Sequence, residues 1–260
     1  MESVTSPDGT RTTWYSEGQG PHLLLVHGTT ADHTRWNGIK PRLVEQFTVH
    51  AMDRRGRGQS TDALDYGLQR EAEDVAAIVD AIGEGVAVLG HSYGAICTLE
   101  ASLLTNGIEK MILYEPPIPT GLPMYPPGLP DRMQPLIDEG HLEVAVVMFF
   151  EEVVKMPQEE FDGYRQLPVW SHRVQLAPTI PREMAIDRAY SFEPQRFADQ
   201  ETPALLLLGG DSPPMFQRAI DVVRAALPNS TVTVLPGQQH IAMDTDPELF
   251  LNEVIGYLTG

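Results

Sequence analysis

The sequence predicts an α/β sandwich with a mostly parallel sheet, on three observations. Beyond the first twenty residues, short apolar runs alternate with segments of helical period. The runs Leu23-Leu24-Leu25-Val26, Val86-Ala87-Val88-Leu89 and Leu205-Leu206-Leu207-Leu208 are continuous rather than alternating, which suits parallel strands covered on both faces. Finally, Gly90-His91-Ser92-Tyr93-Gly94 stands where an apolar run passes directly into a helix-forming stretch, the context of a sharp strand-to-helix turn. A chain of 260 residues buries about three quarters of its unfolded surface, so one core needs no disulfide or metal to support it.

In chain order, β-rich stretches at residues 3–6 and 11–16 flank the turn signal Pro7-Asp8-Gly9 and read as an antiparallel edge. A strand at 23–26, a helix at 34–45, a strand at 48–52 and a helix at 68–82 follow. The strand at 86–89 leads through the turn into a helix at 95–104, and 111–114 reads as the next strand. The alternation then breaks at Pro116-Pro117-Ile118-Pro119. The stretch to about residue 202 is too long for a loop and holds helical periods at 131–140, 142–154 and 159–167. It reads as an inserted helical cap over 117–202, with 1–116 and 203–260 forming the core. A strand at 204–208, a helix at 215–227, a strand at 231–235 and a helix at 247–258 started by Asp246 complete a twisted sheet of about eight strands with helices on both faces.

The formal net charge is −18, from 36 acidic and 18 basic residues. Such a field repels phosphate backbones and anionic membranes, which argues against a nucleic-acid or membrane partner. No apolar run has the length of a membrane span, and the polar N-terminus lacks the basic and apolar segments of a leader, so a cytoplasmic location is expected. The lone Cys97 excludes an internal disulfide and reads as a small buried residue.

Ser92 is the candidate nucleophile. Glycines at 90 and 94 leave room for a turn that lifts the serine clear of its neighbours; the plainer alternative is a Gly-Ser turn in which Ser92 caps the helix. A serine hydroxyl needs an adjacent base, normally a histidine oriented by a carboxylate. His240 lies in a turn-rich segment after the last strand, and Asp211 follows Gly209-Gly210 at a strand end. The order Ser, Asp, His is one in which such triads occur.

Four signals now agree: His27-Gly28-Thr29-Thr30 after the strand at 23–26, Asp53-Arg54-Arg55-Gly56-Arg57-Gly58-Gln59-Ser60 after the next strand, the serine turn, and the Asp211 and His240 loops. In their order and strand context the chain resembles the α/β-hydrolase family over nearly its whole length outside the cap, in the capped, serine-nucleophile branch of esterases and non-haem haloperoxidases. The resemblance implies Ser92 as nucleophile, His240 as general base and then acid, and Asp211 as the group orienting His240. It also implies an oxyanion hole made by the backbone N–H groups of Thr29 and Tyr93. Glu115 is the alternative acid, because it ends the strand just before the cap, where some members of the family place theirs. Asp211 is preferred for its Gly-Gly-Asp loop one strand later.

The remaining motifs take plainer readings. The arginine-glycine stretch lacks the lysine and helix entry of a P-loop and reads as a structural turn with Asp53 paired to a neighbouring arginine. His91 reads as a packed residue, His27 as a brace for the oxyanion loop, and His33 and Trp36 as packing. The eight histidines show no zinc-ligand spacing, so neither metal nor cofactor is expected. A serine in place of an aspartate disfavours dehalogenase and epoxide hydrolase chemistry. The expectation is hydrolysis of a carboxylic ester or related acyl substrate through an acyl-enzyme. The substrate is a small molecule, uncharged and partly apolar, since the cap supplies residues such as Met124, Tyr125, Phe149 and Phe150. A carbon–carbon bond hydrolase, lactonase, perhydrolase or hydroxynitrile-lyase-like enzyme on the same triad, or a ligand receptor without turnover, are the alternatives.

Overall fold

The continuous apolar runs become the central strands of one eight-stranded sheet. The computed structural model describes residues 1–167, 169–185 and 189–260. Its strands are β1 (Glu2–Thr5), β2 (Arg11–Glu17), β3 (His22–Val26), β4 (Thr48–Asp53), β5 (Val86–His91), β6 (Ile108–Tyr114), β7 (Ala204–Gly209) and β8 (Ser230–Leu235). They lie in the spatial order β1-β2-β4-β3-β5-β6-β7-β8. The β1–β2 and β2–β4 pairs are antiparallel, and every pair from β4 through β8 is parallel.

Alternation along each strand divides the core between the two faces. Leu24, Val26, Val88 and Leu206 pack on one side with α1 (Leu68–Ile82), α2 (Tyr93–Ala101) and α8 (Pro214–Ala226). Leu23, Leu25, Leu89 and Leu207 pack on the other with Trp36, Leu43 and α9 (Pro247–Thr259). Cys97 is fully buried on α2. The order reverses at β3 and β5, and loops at the carboxyl ends of neighbouring strands converge there, the usual place for a site in an open parallel sheet.

Between β6 and β7 run α3 (Leu129–Asp138), α4 (Leu142–Phe149), α5 (Gln158–Tyr164), α6 (Val169–Gln175) and α7 (Ile180–Met184). Their side chains form a separate apolar cluster around Phe150, Phe161 and Trp170. Two expected helices are broken. The stretch 34–45 resolves into a 3₁₀ turn, His33–Trp36, and a short helix, Lys40–Leu43, because Gly38 and Pro41 weaken the helical ladder between them. The stretch 142–154 ends as α-helix at Phe149 and passes into a π turn, Phe150–Val154, closed by left-handed Lys155. No helix among the described residues is long and apolar enough to cross a membrane.

Candidate active site

Ser92 sits between β5 and α2 with φ 55° and ψ −124°, a conformation L residues adopt only under constraint. The constraint is visible on both sides of the residue. Ser92 N donates to Tyr114 O at 2.9 Å, and Ser92 O accepts from Ala95 N at 2.8 Å. A Cβ on Gly94 would lie 2.2 Å from Val26 O, and one on Gly90 would lie 2.6 Å from Ala95 Cα, so the turn closes only with glycine at both places. Gly94→Ala is therefore expected to destabilise the fold by about 3 kcal/mol or more, measured as the urea midpoint against wild type; an unchanged midpoint would mean that the helix takes up the methyl without moving the strand.

His240 rests on the loop after β8. Its Nδ1 donates to Glu115 Oε2 at 2.5 Å, and Glu115 Oε1 accepts Gly209 N at 2.7 Å. Glu115 is fully buried at the end of β6 and holds a second positive φ, 46°. The Phe216 ring stacks on the imidazole at 4.6 Å between centroids, with His91 at 4.8 Å. Tyr114 Oη donates to Gln239 O and accepts from Ala242 N, pinning both ends of the short loop that carries the histidine.

The sequence favoured Asp211 for the place that Glu115 occupies. Asp211 is exposed, and its side chain makes no hydrogen bond or ion pair among the described residues; its backbone N–H donates to Gln238 O at 2.9 Å. Asp211 and His240 both border a surface cleft, but the carboxylate stays in solvent. The physical reason is strand length. β6 runs to Tyr114 and delivers Glu115 under the histidine, whereas the Gly209-Gly210 turn at the end of β7 carries the next residue outward.

The loop after β3 forms the facing wall. A Cβ on Gly28 would meet Ser92 Cβ at 2.9 Å, so this backbone passes directly over the serine. The amides of Thr29 and Tyr93 have no acceptor among the described residues, and Tyr93 opens α2, whose N-terminal partial positive charge favours an anion. Thr30 has the third positive φ of the site, 55°.

Arg54 fixes this loop from below. Its Nη1 donates to His27 O and Gly28 O, both at 3.2 Å, and its N–H donates to His27 Nε2 at 3.2 Å. The guanidinium is bidentate to Glu71, at 3.0 and 2.7 Å, and donates also to Glu183 on α7, which Arg57 shares. Burial raises the Glu71 pKa, but the arginines override it and hold the group at about 2, so the pair stays ionised through mild acid. The arginine-glycine stretch is thus a structural turn. Its Asp53, however, pairs with His33 Nδ1 at 2.6 Å rather than with an arginine, because the arginines are taken by Glu71, Glu183 and Asp74. Glu183→Gln is expected to cost about 3 kcal/mol of stability by leaving buried arginine charge undercompensated; urea unfolding checks this, and a loss below ~0.5 kcal/mol would show that Glu71 alone suffices.

Two readings of histidines hold in detail. His27 Nδ1 donates to Gly28 O at 2.8 Å inside the core, and His91 Nε2 donates to His240 O at 2.8 Å with a pKa pushed well down by burial. Asp32, His33 and Asp53 bring ligand atoms within 4.8 Å of one another. Each is already engaged, Asp32 with Thr34 and His172 and Asp53 with His33, so the group reads as a hydrogen-bonded brace.

A model of the alpha/beta hydrolase family matches residues 23–253. The chain belongs to that family. A solved alpha/beta hydrolase of Sphaerobacter thermophilus is 31% identical and covers 99% of this chain and 100% of its own, with a TM-score of 0.86. An N-formylmaleamate deformylase of Pseudomonas putida is 36% identical over 44% of this chain and 44% of its own length. A 2-(acetamidomethylene)succinate hydrolase of Mesorhizobium japonicum is 22% identical over 93% of this chain and 89% of its own. The chain spans less than half the length of the first curated relatives it matches.

Sequence reasoning missed the residues that the inserted helices send to the site. Arg173 Nη1 on α6 donates to Thr30 O at 3.0 Å and Thr30 Oγ1 at 2.8 Å, and His172 Nε2 pairs with Asp32 at 2.7 Å. These helices are short and lack clear caps, so the one available signal was a buried-type pattern interrupted by arginine.

Proposed function

We propose that the protein is a serine hydrolase that cleaves a carboxylic ester or related acyl substrate through an acyl-enzyme. The observation that carries this reading is the state of His240. With Nδ1 donating to Glu115, the imidazole is held in the tautomer whose Nε2 accepts a proton, and His240 lines the same cavity as Ser92. No residue among those described takes the Ser92 hydroxyl or His240 Nε2 as a hydrogen-bond partner, which leaves both for the reaction. Contacts of this kind commonly tighten only when substrate arrives.

In the proposed mechanism Ser92 Oγ attacks the acyl carbon as His240 takes its proton, and Glu115 stabilises the imidazolium. The Thr29 and Tyr93 amides receive the developing oxyanion, each contributing ~2.7 to 4 kcal/mol to the barrier reduction. His240 returns the proton to the leaving group and then activates water against the acyl-enzyme. Residues 117–202 act as a cap that roofs the cavity and keeps bulk water from the intermediate. A cytoplasmic setting suits the unpaired Cys97.

The names of the Pseudomonas and Mesorhizobium relatives, a deformylase and an acetamidomethylene hydrolase, supply a second reading in which the bond cut is an N-acyl bond. A panel of p-nitrophenyl esters beside N-formyl and N-acetyl amides separates the two. The ester reading expects the larger kcat/KM on esters; turnover of the amides alone would replace it with the N-acyl reading.

A further inference from the structure

The cavity above Ser92 has two lobes of different chemistry. One is walled by Pro117, Met124, Met184, Met215 and Phe216. The other reaches from Ser92 and Thr29 to Arg35 and Arg173. Five residues, Thr29, Ser92, Phe149, Val154 and His240, border both, so the lobes meet at the serine.

The two arginines of the second lobe differ in one respect. Arg35 is neutralised by Asp244, with contacts of 2.8 Å from both Nη1 and Nη2. Arg173 is 6% exposed and has no carboxylate within ion-pairing distance among the described residues. Its hydrogen bonds go to neutral groups, the carbonyl and hydroxyl of Thr30 and the Tyr164 side chain, and its Nε is buried without a partner among the described residues. The faces of Phe150 and Tyr164 lie 5.7 and 5.3 Å from the guanidinium carbon and add quadrupole attraction. Burial pulls its pKa below the ordinary arginine value. A buried cation without a counter-ion is costly, and one facing an enzyme cavity has room for a counter-ion brought by the ligand.

We propose that Arg173 is a specificity residue that binds a carboxylate carried by the substrate, so that the enzyme favours anionic acyl compounds over neutral ones of the same size. This rests on the serine-hydrolase reading for the bond that is cut, but not for the anion site itself. It replaces the uncharged substrate expected from the apolar cap: Met124, Tyr125 and Met184 of the cap line the other lobe and house the remainder of the molecule. The net charge of −18 repels anions at long range, but screening confines that field to about 8 Å at physiological salt, whereas Arg173 acts at contact distance in a low-dielectric pocket.

The test separates binding from turnover. Titration calorimetry of Ser92→Ala with glutarate and with the neutral valeramide is expected to show glutarate bound at least 10-fold more tightly, and Ser92→Ala/Arg173→Gln is expected to lose that preference. Equal affinity for the two ligands, or a preference that survives Arg173→Gln, would overturn the proposal. In the wild-type enzyme, mono-p-nitrophenyl glutarate and p-nitrophenyl valerate are compared as a kcat/KM ratio, with 4-butyryloxybutanoate carrying the carboxylate on the leaving side. The ratio of anionic to neutral substrate is expected to fall about 30-fold in Arg173→Gln, whatever loss both share through Thr30, and to recover in part in Arg173→Lys. A uniform loss on all three esters would reduce Arg173 to a positioning residue for the oxyanion loop. Glutarate binding with no turnover of any ester would retain the anion site and remove the ester reading.

Discussion

Ser92→Ala is expected to lower kcat/KM on any substrate the enzyme turns over by about 10⁴-fold or more, with the folded state unchanged. The loss follows from removing the proposed nucleophile from a cavity that otherwise offers hydrogen-bond donors and a base. Thr29 and Tyr93 amides keep their aim, so a residue of catalysis over water persists. Stability is expected to move by less than ~0.5 kcal/mol: the Ser92 hydroxyl makes no hydrogen bond among the described residues, the elbow is held by backbone bonds to Tyr114 and Ala95, and alanine bears the same strain at φ 55°. Turnover on chosen substrates and a thermal melt check the two halves together. Substantial residual activity in a well-folded variant would require another nucleophile.

Glu115→Gln is expected to cost about 10⁴-fold in kcat, while Asp211→Asn stays within about 2-fold of wild type. Glutamine preserves the shape and the bond from Gly209, but it removes the charge that stabilises the imidazolium. Its amide also invites the tautomer with hydrogen on Nε2, the wrong one for taking a proton from Ser92. Asp211 has nothing to lose of this kind, since its carboxylate is exposed and unpaired among the described residues. The reverse pattern, with Asp211→Asn inactive and Glu115→Gln active, would mean that the loop after β7 swings its carboxylate under His240 when substrate binds.

The parts of this site that the sequence made legible are those fixed by local backbone chemistry. Gly90, Ser92 and Gly94 mark a turn that only glycines allow, and their place after a continuous apolar strand set the sheet and the elbow together. The His27-Gly28 pair was readable for the same reason, because a loop crossing over Ser92 at 2.9 Å from an added Cβ admits no side chain. The acid was not readable. Glu115 and Asp211 both end parallel strands, and which of them meets His240 depends on where each strand stops and how the next loop leaves, a difference of one or two residues. The cap's contributions were least visible. Arg173 and Glu183 sit on α6 and α7, short helices stabilised by contacts with Thr30, Arg54 and Arg57 far away in the chain. Tertiary contact rather than intrinsic propensity forms such helices, and a local pattern carries little trace of it.

The most direct test of the central claim, that His240 held by Glu115 activates Ser92, is fluorophosphonate labelling followed by peptide mass spectrometry. The adduct is expected on Ser92 alone, forming at least 100-fold more slowly in Glu115→Gln than in wild type and at the wild-type rate in Asp211→Asn. An adduct on another residue, or labelling of Ser92 at an undiminished rate in Glu115→Gln, would contradict it.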